Sequence, residues 1–329
     1  MPELSLERLA ALLEQPRDTL ILMHRNPDGD AVGSAFALRE LLALLGSRAW
    51  CICESELPER LRFLAAPAQE SVLLSSAPFD TETARVIAAD VASPAQLGGL
   101  RERFEGHTDL MLDHHATGTP FARECFVDGH AAATGELVFD LFRLLGERAE
   151  LTERTAALLY AAISSDTGCF RYSNVTPETH LRAAELLKHG IDHAQIDRLL
   201  FDSKPMALLR AEAMGVERLR VLRGGRVAIV AVSYTDRCAA GLADRDLETL
   251  IDVARSLAGV EVAVSVRQPT DAAVFRASVR SAGSFNAAAL CARFGGGGHE
   301  KAAGCTLFAP DIEGAVAMLI DAIALSDKN

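Results

Sequence analysis

The sequence predicts an α/β protein: an N-terminal parallel sheet with helices on both faces, a helical connector, and a smaller α/β domain at the C-terminus. Three observations predict it. Short apolar runs alternate with helical patterns through the first half, as strands covered on both faces require. A long stretch without strand signals follows, and a second alternating block begins near Arg226. At ~150 residues per domain, 329 residues suit two domains, each with its own core.

In the first block, Thr19–His24 (TLILMH) reads as a strand and Ala31–Leu45 as the helix after it. Trp50–Cys53, Ser71–Leu74, Arg85–Ala89 and Asp109–Leu112 are further strands. Helices follow near Thr134–Leu145 and Thr152–Ser164, the second with Thr152 as N-cap and Glu153 in its first turn. Pro177 to about Arg220, punctuated by Gly190 and Pro205, is the connector. The second block reads as RVAIVAVSY, a helix near Leu247–Leu257, VEVAVSV, AVFRASV, a helix near Phe285–Phe294, then a last strand and helix. The expected domains are 1–176, 177–220 and 221–329.

Composition excludes several classes. With 49% hydrophobic and 24% charged residues the chain is neither disordered nor fibrous. Its longest uncharged run, Ser281–Ala292, has 12 residues, too short for the ~20 that span a bilayer. Glu3, Glu7 and Glu14 break any signal-peptide pattern, so a cytoplasmic protein is expected. Seven cysteines, an odd number set in apolar segments, read as reduced buried thiols, and Cys51-Ile52-Cys53 has no second pair to complete a zinc knot. A net charge of −12 argues against coating long duplex nucleic acid, and Trp50 with three tyrosines makes a poor stacking platform. Val216–Ala309, however, carries twelve basic against nine acidic residues. A mildly basic part joined to an acidic remainder fits an anion-binding region beside a carboxylate-rich metal site.

The strongest local feature is His24-Arg25-Asn26-Pro27-Asp28-Gly29-Asp30-Ala31-Val32-Gly33-Ser34. A strand delivers His24 to its C-terminal end, where α/β ligand sites lie, and Pro27 and Gly29 fold the loop. His24, Asp28 and Asp30 can then converge on a divalent ion such as Mn²⁺ or Mg²⁺, since no thiolate is at hand to favour zinc. A simple turn whose aspartates cap the next helix is the plainer alternative. Three more sites follow the same pattern: Asp90 closes ARVIAAD, Asp113-His114-His115 closes TDLMLDHH, and Asp166 follows an apolar helix at ISSDTG. An apolar run that delivers an unpaired carboxylate is costly unless a partner such as a metal is present. The alanines around these motifs, Ala88, Ala89 and Ala131–Ala133, are read as carrying no chemistry.

This set resembles the DHH phosphoesterase family, whose naming triplet stands here as Asp113-His114-His115. Arg280-Ser281 and Phe294-Gly295-Gly296-Gly297-Gly298-His299-Glu300-Lys301-Ala302-Ala303-Gly304 resemble the DHH-associated C-terminal domain. Length and domain order are most similar to the bacterial nanoRNases that also dephosphorylate 3′-phosphoadenosine 5′-phosphate (pAp). The resemblance implies two Mn²⁺ ions, with Mg²⁺ or Co²⁺ as substitutes. His24, Asp28 and Asp90 would hold one; Asp30, Asp90, His114 and Asp166 would hold the other, with Asp90 bridging. Asp113 would support the site from behind, and His115 would lie near the scissile phosphate. In such a centre a water between two dications ~3.5–4 Å apart attacks phosphorus in line.

The glycine run also reads by itself as an anion site, because four glycines let backbone N–H groups approach a phosphate or base. Arg280, Ser281, Gly296, Gly297, Gly298 and His299 are the expected substrate contacts, with Lys301 adding charge; a flexible loop after a helix is the plainer reading. Arg267 and Arg276, alternating with apolar neighbours, are not assigned. The leading expectation is an enzyme acting on very short RNA, dinucleotides or pAp, with a homodimer allowed. Alternatives are a linear dinucleotide (pApA or pGpG) phosphodiesterase, an inorganic pyrophosphatase or exopolyphosphatase, and an inactive nucleotide sensor.

Overall fold

The computed structural model describes residues 4–65 and 67–326. The chain divides at Ser203–Lys204 into two compact units. The stretch expected as a connector is therefore shared: residues 177–203 join the first unit and 204–220 the second.

In the first unit, α1 (Leu6–Leu13), β1 (Thr19–Leu22), α2 (Gly29–Leu44), β2 (Ala49–Ile52) and α3 (Arg62–Ala65) come first. β3 (Arg85–Ala89), α4 (Arg101–Phe104), β4 (Leu110–Asp113) and β5 (Glu124–Val127) follow. α5 (Thr134–Leu145), α6 (Glu153–Asp166), α7 (Pro177–Leu187) and α8 (His193–Asp197) complete it. The strands form a parallel sheet in the order β2-β1-β3-β4-β5. Period-two alternation sends Ile21 and Met23 into a core with α2, α5 and α6, and Leu20 and Leu22 into a second core on the opposite face with Val86, Leu97 and Phe104. Leu186, Ile196 and Leu200 extend the first of these cores. They explain why the residues up to 203 belong here.

Two local differences have physical reasons. Ser71–Leu74, expected as a strand, is not one. The Gln69 amide accepts from Cys51 N at 3.1 Å and donates to Cys51 O at 2.6 Å, so a side chain serves the outer edge of β2 that a strand would have used. β5 escaped the sequence reading because it is an edge strand with only Cys125 buried. Where α2 crosses α6, Gly33 is needed: a Cβ there would stand 2.5 Å from Leu158 O.

The second unit comprises α9 (Met206–Glu217), β6 (Arg220–Leu222), β7 (Val227–Val232), α10 (Tyr234–Ala239), α11 (Leu250–Arg255) and β8 (Val262–Arg267). β9 (Val274–Ser281), α12 (Ala287–Ala292), β10 (Gly297–His299), β11 (Ala302–Phe308) and α13 (Ile312–Ser326) follow. Its sheet is mixed, in the order β10-β11-β9-β8-β7-β6, with β7 and β8 parallel and the other pairs antiparallel. Phe275, Ala277 and Val279 face a core with Leu290, Leu307 and Leu319, which leaves Arg276 and Arg280 on the other face of β9. All seven cysteines are free thiols. Among the described residues no helix is long and apolar enough to cross a membrane.

Candidate functional site

The ends of β1, β3, β4 and α6 and the start of α2 supply one cluster. β1 leads into His24. Asp28 caps α2, its Oδ1 accepting from Asp30 N at 3.1 Å and Ala31 N at 3.0 Å. The capping alternative is thus realised, yet Asp28 Oδ1 also lies 3.9 Å from His24 Nε2. Asp90 follows β3 with a left-handed backbone, φ 59°. Its Oδ2 stands 3.6 Å from His24 Nε2. Asp113 ends β4, with His114 and His115 next, and Asp166 is the last residue of α6.

Ligand atoms of His24, Asp28 and Asp90 lie within 4.8 Å of one another, as do those of Asp30, His114 and Asp166. A third such group, Asp90 with His114 and His115, links the two. The decisive atom is His114 Nε2. The other ring nitrogen, Nδ1, lies 3.2 Å from Ala131 O and donates to it, which leaves Nε2 as the lone-pair nitrogen of the neutral ring. Nε2 is buried and has no hydrogen-bond partner, although Asp166 Oδ2 is 3.1 Å away and Asp30 Oδ2 and Asp90 Oδ1 are each 3.8 Å away. Three carboxylates gathered at one buried ring nitrogen call for positive charge among them, a proton on Nε2 or a metal ion in its place, and the oxygen and nitrogen donors fit a hard divalent ion.

Protonation shows the same demand. Burial opposes charge on His24 and His114, but the carboxylates around each overcome it and hold both near pH 10: Asp28 and Asp90 for His24, Asp166 and Asp30 foremost for His114. Burial pushes Asp30 well above the usual carboxylate range, helped by the charges of Asp90 and Asp166. Burial raises Asp166 too, against the pull of His114. His115 is also raised, burial losing to Asp113, whose Oδ1 accepts from His115 Nδ1 at 2.7 Å. Asp113 Oδ2 is buried without a hydrogen-bond partner.

The expected substrate residues lie in the second unit. Arg280 sits on β9 opposite Ala302, and its guanidinium donates to Val279 O at 3.1 Å. The Ser281 hydroxyl donates to Phe285 O at 2.8 Å, bracing the turn before α12. The glycine run is more ordered than the loop reading allows. Gly297, Gly298 and His299 form β10, paired with Gly304, Ala303 and Ala302. Gly296 packs so closely that a Cβ would meet Gly304 O at 2.3 Å. As an edge strand β10 presents one row of backbone groups outward. The His299 side chain lies outside the described residues.

Sequence reasoning missed the backing of the cluster. The alanines set aside as inert act through their backbone: Ala131 O orients His114, and Ala132 O accepts from Asn174 Nδ2 at 3.0 Å. Asn174 also donates to Asp166 O at 3.2 Å. Thr134 touches both Asp30 and Asp90. One signal was available. A helix opening at Thr134 has alanine at its N-cap, where an oxygen-bearing side chain is preferred.

Residues 18–163 match the DHH family, N-terminal domain, and residues 224–325 the DHHA1 domain. The bifunctional oligoribonuclease and PAP phosphatase NrnA of Thermus thermophilus is 33% identical over 92% of this chain and 88% of its own length. The Bacillus subtilis protein of the same name is 26% identical over 89% of this chain and 91% of its own. A crystal structure of an exopolyphosphatase-related protein from Bacteroides fragilis shares the fold, with a TM-score of 0.88 at 24% identity over 97% of this chain and 95% of that one. With both domains matched in order and a relative one-third identical along nearly its whole length, this chain belongs to the DHH family.

Proposed function

We propose that this chain is a metal-dependent phosphoesterase that degrades very short oligoribonucleotides from the 5′ end to mononucleotides and removes the 3′-phosphate of pAp to give AMP. The carrying observation is His114 Nε2, buried and faced by three carboxylates at 3.1 to 3.8 Å, in a chain whose relatives are named for those two activities. His24, Asp28 and Asp90 would hold one divalent ion and Asp30, Asp90, His114 and Asp166 another, with Mn²⁺ the best-suited ion for a donor set without thiolates. Such ions, when bound, supply an ionised water near neutral pH and positive charge for the phosphoryl oxygens.

The protein's own part is orientation. Asp113 fixes the His115 ring through Nδ1, and the ring so held is the proposed neighbour of the scissile phosphate. Arg280, Ser281, Gly296, Gly297, Gly298 and His299 are the proposed contacts to a non-reacting phosphate or base. The arginine's forked donors match a phosphate, and the glycine backbone admits a planar base.

The test is a substrate panel with Mn²⁺ present, comparing kcat/KM for pAp, two- to five-nucleotide RNA, pApA, pGpG and pyrophosphate. Hydrolysis of pAp and of short RNA well above pyrophosphate is expected. Pyrophosphate as the best substrate, or inertness towards all of them, overturns the proposal.

A further inference from the structure

Thr134 opens α5 and is completely buried. The residue before it, Ala133, occupies the N-cap position and offers no side-chain oxygen to the first amides of the helix. Asp30, 104 residues earlier, takes that role: its Oδ2 accepts from Thr134 N at 2.6 Å and its Oδ1 from Gly135 N at 2.9 Å. The Thr134 hydroxyl donates in turn to Asp90 Oδ1 at 3.0 Å. One residue thus ties a carboxylate from α2 to a carboxylate from the end of β3.

The oxygens it ties are a particular pair. Asp30 Oδ2 and Asp90 Oδ1 both face His114 Nε2, each at 3.8 Å, beside Asp166 Oδ2. The other Asp90 oxygen, Oδ2, faces His24. We propose that Thr134 is a positioning residue that aims Asp30 and Asp90 at the His114 side of the cluster and so sets the affinity of that side for a divalent ion. The inference rests on the metal-binding reading above. The His24 side takes Asp28 and the other Asp90 oxygen, so Thr134 reaches it through Asp90 alone and the His114 side through both Asp30 and Asp90.

Thr134→Val removes the hydroxyl and keeps the amide and the shape. In a Mn²⁺ titration of the full chain, with unbound ion read by electron paramagnetic resonance, the wild type is expected to fill two sites. Thr134→Val is expected to weaken the His114-side site by ~10- to 100-fold, the usual effect of losing a group that orients a ligand, and the His24-side site less. Thr134→Ser restores the weakened site. Metal-free melting curves report whether each variant folds, and should the valine variant fail, Thr134→Ala removes the same donor with less bulk. Equal weakening of both sites, no weakening of either, or a serine variant as weak as the valine one overturns the inference. A wild type that binds no Mn²⁺ at all instead overturns the metal reading on which it rests.

Discussion

His115 Nδ1 donates to Asp113 Oδ1 across 2.7 Å, and Asp113 takes no place in the groups able to hold a metal ion. Among the described contacts, the carboxylate reaches the cluster through the ring it holds. Asp113→Ala should lower kcat/KM by ~10- to 100-fold, as the loss of an orienting partner does, while Mn²⁺ affinity stays at the wild-type value. Steady-state rates on pAp paired with a Mn²⁺ titration check this. A loss of metal binding would show that Asp113 supports the metal cluster directly.

Asp90 is shared between the His24 and His114 groups, so its loss disturbs both at once. Asp90→Asn keeps the side-chain shape and removes the charge. Turnover should fall at least ~10³-fold, the scale of losing a main electrostatic element of a site. More than a tenth of the wild-type rate at saturating Mn²⁺ would sink the assignment of Asp90 as the shared ligand.

His114→Ala touches one side only. Its activity should be low at limiting Mn²⁺ and partly recover as Mn²⁺ is raised, because the remaining ligands of that side still bind weakly. Chelation should silence the wild type, and added Mn²⁺ should restore it. A His114→Ala defect that no concentration of Mn²⁺ changes would remove His114 from the ligand set.

His24 and His114 both stand near pH 10 without metal, against ~6.5 in an unfolded chain. A raised pKa contributes stability that is complete below about pH 6.5 and disappears as the pH climbs through 10. The melting temperature of chelator-treated protein should therefore fall between pH 6.5 and 10. Over the same interval Mn²⁺ binding should tighten, since each ion displaces protons. Thermal melts and titrations across that range test both; metal-free protein that grows more stable from pH 7 to 9 contradicts the account.

Arg280 and His299 are expected to grip a part of the substrate that does not react. Such contacts hold ground state and transition state alike, so Arg280→Ala and His299→Ala should raise KM more than they lower kcat. A charge-assisted contact is worth ~1.5–3 kcal/mol, or roughly 10- to 100-fold in kcat/KM. The loss should be larger for pAp than for bis-p-nitrophenyl phosphate, with Mn²⁺ binding unchanged. Equal losses on both substrates would rule out the proposed grip.

Much of the cluster was legible because its chemistry stands at the ends of apolar runs. A histidine or carboxylate delivered by ILMH, VIAAD or MLDHH is out of place unless something pairs with it, and the structure gathers those residues. The supporting layer was not legible, for it is made largely of backbone. Ala131 holds His114 through a carbonyl that every residue has, and Asp30 reaches the amides of Thr134 and Gly135 across 104 and 105 positions. In the sheets, short apolar runs revealed β1, β3, β8 and β9, whereas β5 and β10 lie at edges where burial no longer imposes a pattern. Ser71–Leu74 had the composition of a strand but lost its place to the Gln69 side chain.

The left-handed backbone at Asp90 narrows how this protein can lose its activity in evolution. At φ 59° glycine, asparagine and aspartate are tolerated, while β-branched and bulky side chains are strained. A drifting sequence that gives up the shared carboxylate without also giving up the fold has few replacements open to it, chiefly asparagine and glycine. Asparagine or glycine at the position after β3 would mark a descendant that has kept the architecture and abandoned the chemistry. A valine or leucine there would mark a chain whose loop has been rebuilt.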